Sequence, residues 1–87
     1  QRTDVYALGV ILFQLLAEHF QCDTVDFFAT DPAERADWLA RAMVSRCAIP
    51  EEYLAVVQKA IQPGREQRYA SVDALAADLQ ALSTQQP

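Results

Sequence analysis

Asp4-Val5-Tyr6-Ala7-Leu8-Gly9-Val10-Ile11-Leu12-Phe13-Gln14-Leu15-Leu16 is the stretch on which the reading of this chain turns. From Val5 to Ala17 the only strongly polar residue is Gln14, so a helix here is apolar around its whole circumference. Such a helix calls for protein on all sides. The β-branched residues would also suit a strand. The length of the run, Thr3 as a capping hydroxyl, Asp4 at the positive end of the helix dipole and the continuation Leu15-Leu16-Ala17-Glu18 select a helix over about 4–18.

Outward from it, Phe20 to Thr30 shows no sustained period and mixes Asp23, Thr24 and Asp26 with Phe20, Phe27 and Phe28, which reads as a loop anchored by aromatics. Asp31-Pro32-Ala33-Glu34 combines a capping carboxylate, an early proline and a following acid, and starts a second helix over 32–46. Its apolar stripe is Trp38, Leu39, Ala42 and Met43, with Arg35, Asp37 and Arg41 elsewhere on its surface. Ile49-Pro50-Glu51-Glu52 starts a third over 51–61, burying Leu54, Val57 and Ile61 and stopped by Pro63-Gly64. After the polar turn Arg65 to Tyr69, Ser71 caps a fourth over 72–82 with the stripe Val72, Leu75, Ala76, Leu79 and Leu82, and Ser83 to Pro87 is expected to fray. The expectation is an all-α chain, four helices over 1–87 with a buried central first helix and no internal repeat.

Length and composition set limits. At 87 residues there is room for one small domain, and 52% hydrophobic against 22% charged residues argues for a packed core. A net charge of -5 and a single lysine, Lys59, argue against nucleic acid as a partner, and Glu66 interrupts the Arg65/Arg68 pair. Cys22 and Cys47 lack both metal-knuckle spacing and the density of a disulfide scaffold, so reduced thiols and a cytoplasmic location are expected. His19 is the only histidine, which leaves a metal site without an obvious ligand set; it reads as a helix-end residue facing the last carbonyls. No apolar run approaches the ~20 residues that span a bilayer, and no membrane contact is expected from this segment. The start at Gln1, without Met or a basic leader, suggests a piece of a longer protein.

Two stretches carry a resemblance. Asp4 to Leu16 looks like the central αF helix of eukaryotic-type serine/threonine protein kinases, with its Asp-x-Tyr/Trp-Ser/Ala-x-Gly start. Arg68-Tyr69-Ala70-Ser71-Val72-Asp73-Ala74-Leu75, with Asp78-Leu79 behind it, looks like the arginine-containing turn leading into the family's last helix, αI. Between them, Pro50 to Ile61 resembles αH, and the Asp31-Pro32 helix falls where αG would lie. The phrasing is closest to compact bacterial members. The chain departs from the pattern at Ala17-Glu18-His19-Phe20-Gln21-Cys22, where many members carry Gly-x-x-Pro-Phe, and at Gln62-Pro63-Gly64-Arg65 in place of an Asp-Pro turn.

The resemblance implies roles for three residues. Asp4 would accept backbone N–H bonds from the catalytic loop, Gly9 would permit close approach of a neighbouring backbone, and Arg68 would pair with the glutamate of an Ala-Pro-Glu element preceding this chain. Read without the family, Asp4 is a dipole partner and Gly9 a tolerated weak helix residue. In the absence of that glutamate, Arg68 is expected to be more exposed or recruited by Glu66 or Asp73. The catalytic parts, a Gly-rich loop, a strand lysine, His-Arg-Asp and Asp-Phe-Gly, are missing from these residues, so no catalytic, cofactor-binding or metal residue is assigned, and ATP and Mg are expected of the parent alone.

Three readings follow. In the first, the chain is the scaffold and substrate-docking base of a kinase that transfers phosphate from ATP to protein Ser or Thr, its partners being the missing N-terminal part and the protein substrate. In the second, it is a pseudokinase-derived interaction module that docks partners through the Trp38 helix. The third is an unrelated four-helix protein. On any of them the candidate partner surface is Trp38 and Leu39 on the second helix and Val5, Leu8, Leu12 or Leu15 on the first, with self-association as a consequence of its exposure.

Overall fold

The computed structural model describes residues 2–46 and 48–85. They form helices α1 (Arg2–His19), α2 (Val25–Ala29), α3 (Arg35–Arg46), α4 (Glu51–Ala60) and α5 (Val72–Gln85), with 3-10 turns at Pro32–Glu34 and Arg65–Gln67. The architecture is all-α, with no strand among the described residues. Three of the four expected helices lie within a few residues of their predicted bounds. The second begins as the 3-10 turn and becomes α-helical only at Arg35, and α2 is an additional helix inside what the sequence presents as a loop.

Start signals act largely as their chemistry dictates. The Asp31 carboxylate accepts from the Ala33 N–H at 3.2 Å, and Ser71 Oγ from the Ala74 N–H at 3.2 Å. Pro50 precedes α4, whose first turn carries Glu51 and Glu52. Thr3, expected to cap α1, is already inside it, because the helix begins at Arg2. Residues 83–85, expected to fray, continue α5.

The end of α1 is a Schellman stop. Cys22 N–H donates to the Ala17 carbonyl at 2.7 Å and Gln21 N–H to Glu18 at 3.3 Å, which places Gln21 at φ 58. A left-handed conformation costs a residue with a Cβ about 1 kcal/mol or more, and Gln21 is exposed. Gln21→Gly is therefore expected to raise stability by about 1 kcal/mol, roughly 4–8 °C in the midpoint of a thermal melt for a chain of this size. An unchanged or lower midpoint would remove the strain argument.

α1 does not become enclosed. The shortest dimension of the molecule, 18 Å, admits two helix layers at their usual spacing of about 8–10 Å but not three. So α1 buries one stripe, Val5, Gly9, Phe13 and Ala17, at the i, i+4 spacing of one helix face, and exposes Ile11 and Leu15 at 49% and 61%. The helix packed against the most partners is α4, which meets α1, α3 and α5. That is why Leu54, Val56, Val57 and Ala60 are all buried along it, on more than one face.

Two clusters make the core. One joins Phe13 of α1, Phe27 of α2, Ala36 and Leu39 of α3, and Ile49, Leu54, Val57 and Ile61 around α4. The second joins Val5, Val56, Ala60, Tyr69 and Leu75. Phe27 is the aromatic anchor the loop required: its ring lies 4.4 Å from that of Phe13 and 6.1 Å from that of Trp38. Of the expected stripe of α5, Leu75 is buried, Leu79 and Leu82 are half-buried, and Val72 and Ala76 face solvent. Ala42 and Met43 of the α3 stripe have side chains outside the described residues.

Tyr69 links α5 to this second cluster. It is 4% exposed, and its hydroxyl donates to Asp78 Oδ2 at 2.7 Å while the Lys59 ammonium sits 4.5 Å from the ring centre. Burial first, then the hydrogen bond to Asp78 and its negative charge, raise the phenol well above its ordinary 10.0. A phenol held protonated in the folded state contributes in full below the unfolded value and loses that contribution as pH rises through the folded one. Tyr69→Phe is expected to cost about 1 kcal/mol at neutral pH, since Asp78 is exposed and water replaces the lost donor, and to flatten the decline in stability above about pH 10. Identical alkaline limbs for the two proteins would contradict the assignment.

Cys22 is disulfide-bonded, which overturns the expectation of a reduced thiol there. Separation in sequence carries no information about proximity in the fold. Cys47, the other cysteine of the sequence, lies outside the described residues.

Candidate functional site

Where α1, the 3-10 turn at Pro32–Glu34 and the Pro63-to-Arg68 turn meet, a cavity of about 420 Å³ opens, lined by Tyr6, Pro32, Ala33, Pro63, Arg65 and Arg68. Tyr6 stands on α1 one residue beyond the buried Val5, so its ring lies at the edge of the core, half-buried. Arg68 follows the second 3-10 turn and is also half-buried. Its Nε donates to the Gln62 carbonyl at 2.6 Å, and its guanidinium lies 4.9 Å from the centre of the Tyr6 ring. The Gln62 carbonyl and the Tyr6 face are among the groups that hold Arg68, for which greater exposure or recruitment by Glu66 or Asp73 was expected; both acids are exposed.

A third arginine completes the surroundings of Tyr6. Arg35, at the first position of α3, sends Nη1 to Tyr6 Oη at 3.3 Å, Nε to the carbonyls of Phe27 and Thr30, each at 3.2 Å, and Nη2 to the carbonyl of Phe28 at 3.3 Å. Its Cζ lies 5.1 Å and 5.4 Å from the centres of the Phe27 and Phe28 rings. The sequence reading placed Arg35 on the helix surface. Nothing in its spacing signals otherwise, because its acceptors are backbone carbonyls that every sequence supplies. Chemically, the cavity combines guanidinium donors, a phenol and proline walls, a setting that suits an oxyanion or an aromatic side chain.

The remaining sequence-selected residues fall elsewhere. Asp4 is exposed in the first turn of α1. Gly9 is buried against α4: a Cβ built on it would lie 2.7 Å from Ala60 Cβ and 2.9 Å from Ile61 Cγ2. Val5 and Leu39, candidates for a partner surface, have 0% exposure and are unavailable to a partner, because they fill the two core clusters. Leu8, Leu12 and Trp38 are half-buried, and the solvent-facing apolar pair on α1 is Ile11 and Leu15. His19 is exposed at the end of α1, its ring edge-on to Phe20 at 4.8 Å.

Among the described residues no group of three His, Cys, Asp or Glu is placed to hold a metal, and no helix is long and apolar enough to cross a membrane. No family model, no curated protein and no solved structure matches the chain.

Proposed function

We propose that the chain is the helical C-terminal part of a serine/threonine protein kinase catalytic domain, serving as scaffold and substrate-docking base while residues outside it bind ATP and Mg and transfer phosphate to protein Ser or Thr. The observation that carries the proposal is the meeting of the two stretches with kinase-like wording. They come from opposite ends of the chain, yet Val5, Tyr69 and Leu75 share one core cluster and Arg68 stacks on Tyr6. The close approach of Gly9 to α4 adds weight, since that is the role the resemblance assigns to this glycine. A pseudokinase-derived interaction module is the second reading, favoured by the exposure of Ile11 and Leu15 on a helix whose composition calls for cover. The thiols no longer argue for a cytoplasmic location, because disulfides persist mainly in oxidising compartments.

The test is the sequence preceding Gln1 in the natural protein, joined to a phosphotransfer assay with radiolabelled ATP on that protein and on residues 1–87 alone. The expected result is an intact His-Arg-Asp and Asp-Phe-Gly, label incorporated by the longer protein, and none by the shorter chain. Degenerate versions of both motifs would favour the module, and their complete absence would end the kinase reading.

A further inference from the structure

A second cavity, about 350 Å³, lies between α4 and α5 and shares no lining residue with the one beside Tyr6. Its α4 wall is Glu52, Ala55, Val56 and Lys59, at the i, i+3, i+4, i+7 spacing of one helix face, and its α5 wall is Asp78, Ala81 and Leu82 on the same pattern. Alanine on both walls leaves the room. The floor is apolar, with Val56 5% exposed and Leu82 half-buried.

Charge along the groove is sorted by position. At one end two opposite charges flank a single ring: the Lys59 ammonium lies 4.5 Å from the centre of the Tyr69 ring, and Asp78 Oδ2 accepts from the Tyr69 hydroxyl at 2.7 Å. Among the described residues the one ion pair is that of Arg41 with Asp37, so Lys59 and Asp78 do not neutralise each other. The ammonium keeps its N–H donors and Asp78 its second oxygen for a ligand. Glu52 stands two helical turns, about 10 Å, along α4 from Lys59. An apolar groove with a few convergent polar groups is the general form of a small-molecule site.

A ligand matching this order carries a carboxylate and an ammonium on one carbon, then an apolar stem, then a second cation. We propose that the groove between α4 and α5 binds a free basic amino acid, lysine or arginine, with its carboxylate on Lys59, its α-ammonium on Asp78, its stem along Val56 and Leu82 and its cationic tip at Glu52. The ligand's net positive charge meets two carboxylates and one ammonium. An aliphatic amino acid lacks the group that pairs with Glu52, and an acidic one brings a carboxylate to it. A residue within a peptide has lost the pair that Lys59 and Asp78 read together. Nothing in this assignment depends on the kinase reading.

The experiment titrates the isotope-labelled 87-residue chain with lysine at constant ionic strength and follows amide shifts by NMR. Shifts are expected at residues 52–59, 69 and 78–82, with a dissociation constant of about 1–10 mM, weak because each ion pair is exposed to water. Norleucine keeps the stem without the tip, lysinamide lacks the carboxylate and Nα-acetyl-lysine lacks the α-ammonium; each is expected to bind about fivefold or more weakly than lysine. The last two also stand for lysine at the start and at the end of a peptide. Glu52→Gln should abolish the preference for lysine over norleucine. Asp78→Asn keeps an acceptor for Tyr69, so the fold is retained, and should weaken lysine several-fold while leaving Nα-acetyl-lysine unchanged. Equal shifts with lysine, norleucine and glycine, an affinity for lysinamide or Nα-acetyl-lysine equal to that for lysine, or no shift at about 100 mM lysine would each overturn the proposal.

Discussion

Arg35→Ala is expected to destabilise the chain by about 2–4 kcal/mol. The guanidinium donates to three backbone carbonyls and to Tyr6 Oη and covers two aromatic rings. Removing it leaves the Phe28 and Thr30 carbonyls to water, which reaches the half-buried site only in part, while the Phe27 carbonyl still accepts from the Thr30 N–H. Hydrogen bonds from a charged donor contribute about 1.5–3 kcal/mol each when well buried, and the discount for partial exposure brings the sum to the stated range.

The loss should also be local before it is global. Arg35 is the hinge pin between α2 and α3, so hydrogen exchange at amides 25–33 should accelerate more than exchange at the buried amides of α4. Arg35→Lys keeps the charge but not the planar fork that reaches several acceptors at once, and should recover less than half of the loss. A melt of Arg35→Ala within about 0.5 kcal/mol of the parent, an effect typical of neutral surface changes, would show that the cage is ornamental.

How much of this was legible in the sequence depends on where each piece of information is stored. The capping oxygens of Asp31 and Ser71, the Leu54, Val57 and Ile61 side of α4 and the anchoring of the Phe20–Thr30 segment by Phe27 were readable, because each is settled within a turn or two of helix, whereas the burial of Val56 and Ala60 was not. α2 was hidden, since a helix of five residues shows barely one period of its pattern. The enclosure of α1 was misjudged for a different reason. Apolarity all round states what a helix would bury if protein were available, and two layers of helix in 18 Å supply cover for one side. Val5 and Leu39 were assigned to a surface for want of any way to know which part of each stripe would meet α4 and α5. The Arg35 cage was invisible, as contacts from a side chain to distant carbonyls leave no mark on composition or period.

Gly9 offers the sharpest test of the packing, because two opposing effects can be separated there. In an exposed helix Gly→Ala gains about 1 kcal/mol from propensity. At Gly9 the new methyl would lie 2.7 Å from Ala60 Cβ and 2.9 Å from Ile61 Cγ2, distances at which something has to shift. The Ile61 methyl can move by a change of rotamer, but Ala60 Cβ is attached to the α4 backbone, so α1 and α4 must separate. Forcing an extra methyl into a packed core costs about 1–3 kcal/mol. Gly9→Ala is thus expected to lose up to about 2 kcal/mol net once the propensity gain is deducted. Gly9→Val, with two more carbons and a β-branch, should lose about 3 kcal/mol or more and leave part of the chain unfolded at room temperature. The cycle with Ala60→Gly decides the cause. In the parent, Ala60→Gly should cost about 1–2 kcal/mol through helix propensity and a lost buried methyl. In the Gly9→Ala background it should cost clearly less, because it removes the atom that clashes, giving a coupling of about 1 kcal/mol. Additive costs in denaturant melts would mean that the helices already stand far enough apart for a methyl, and the close approach that ties this glycine to its proposed family role would not exist.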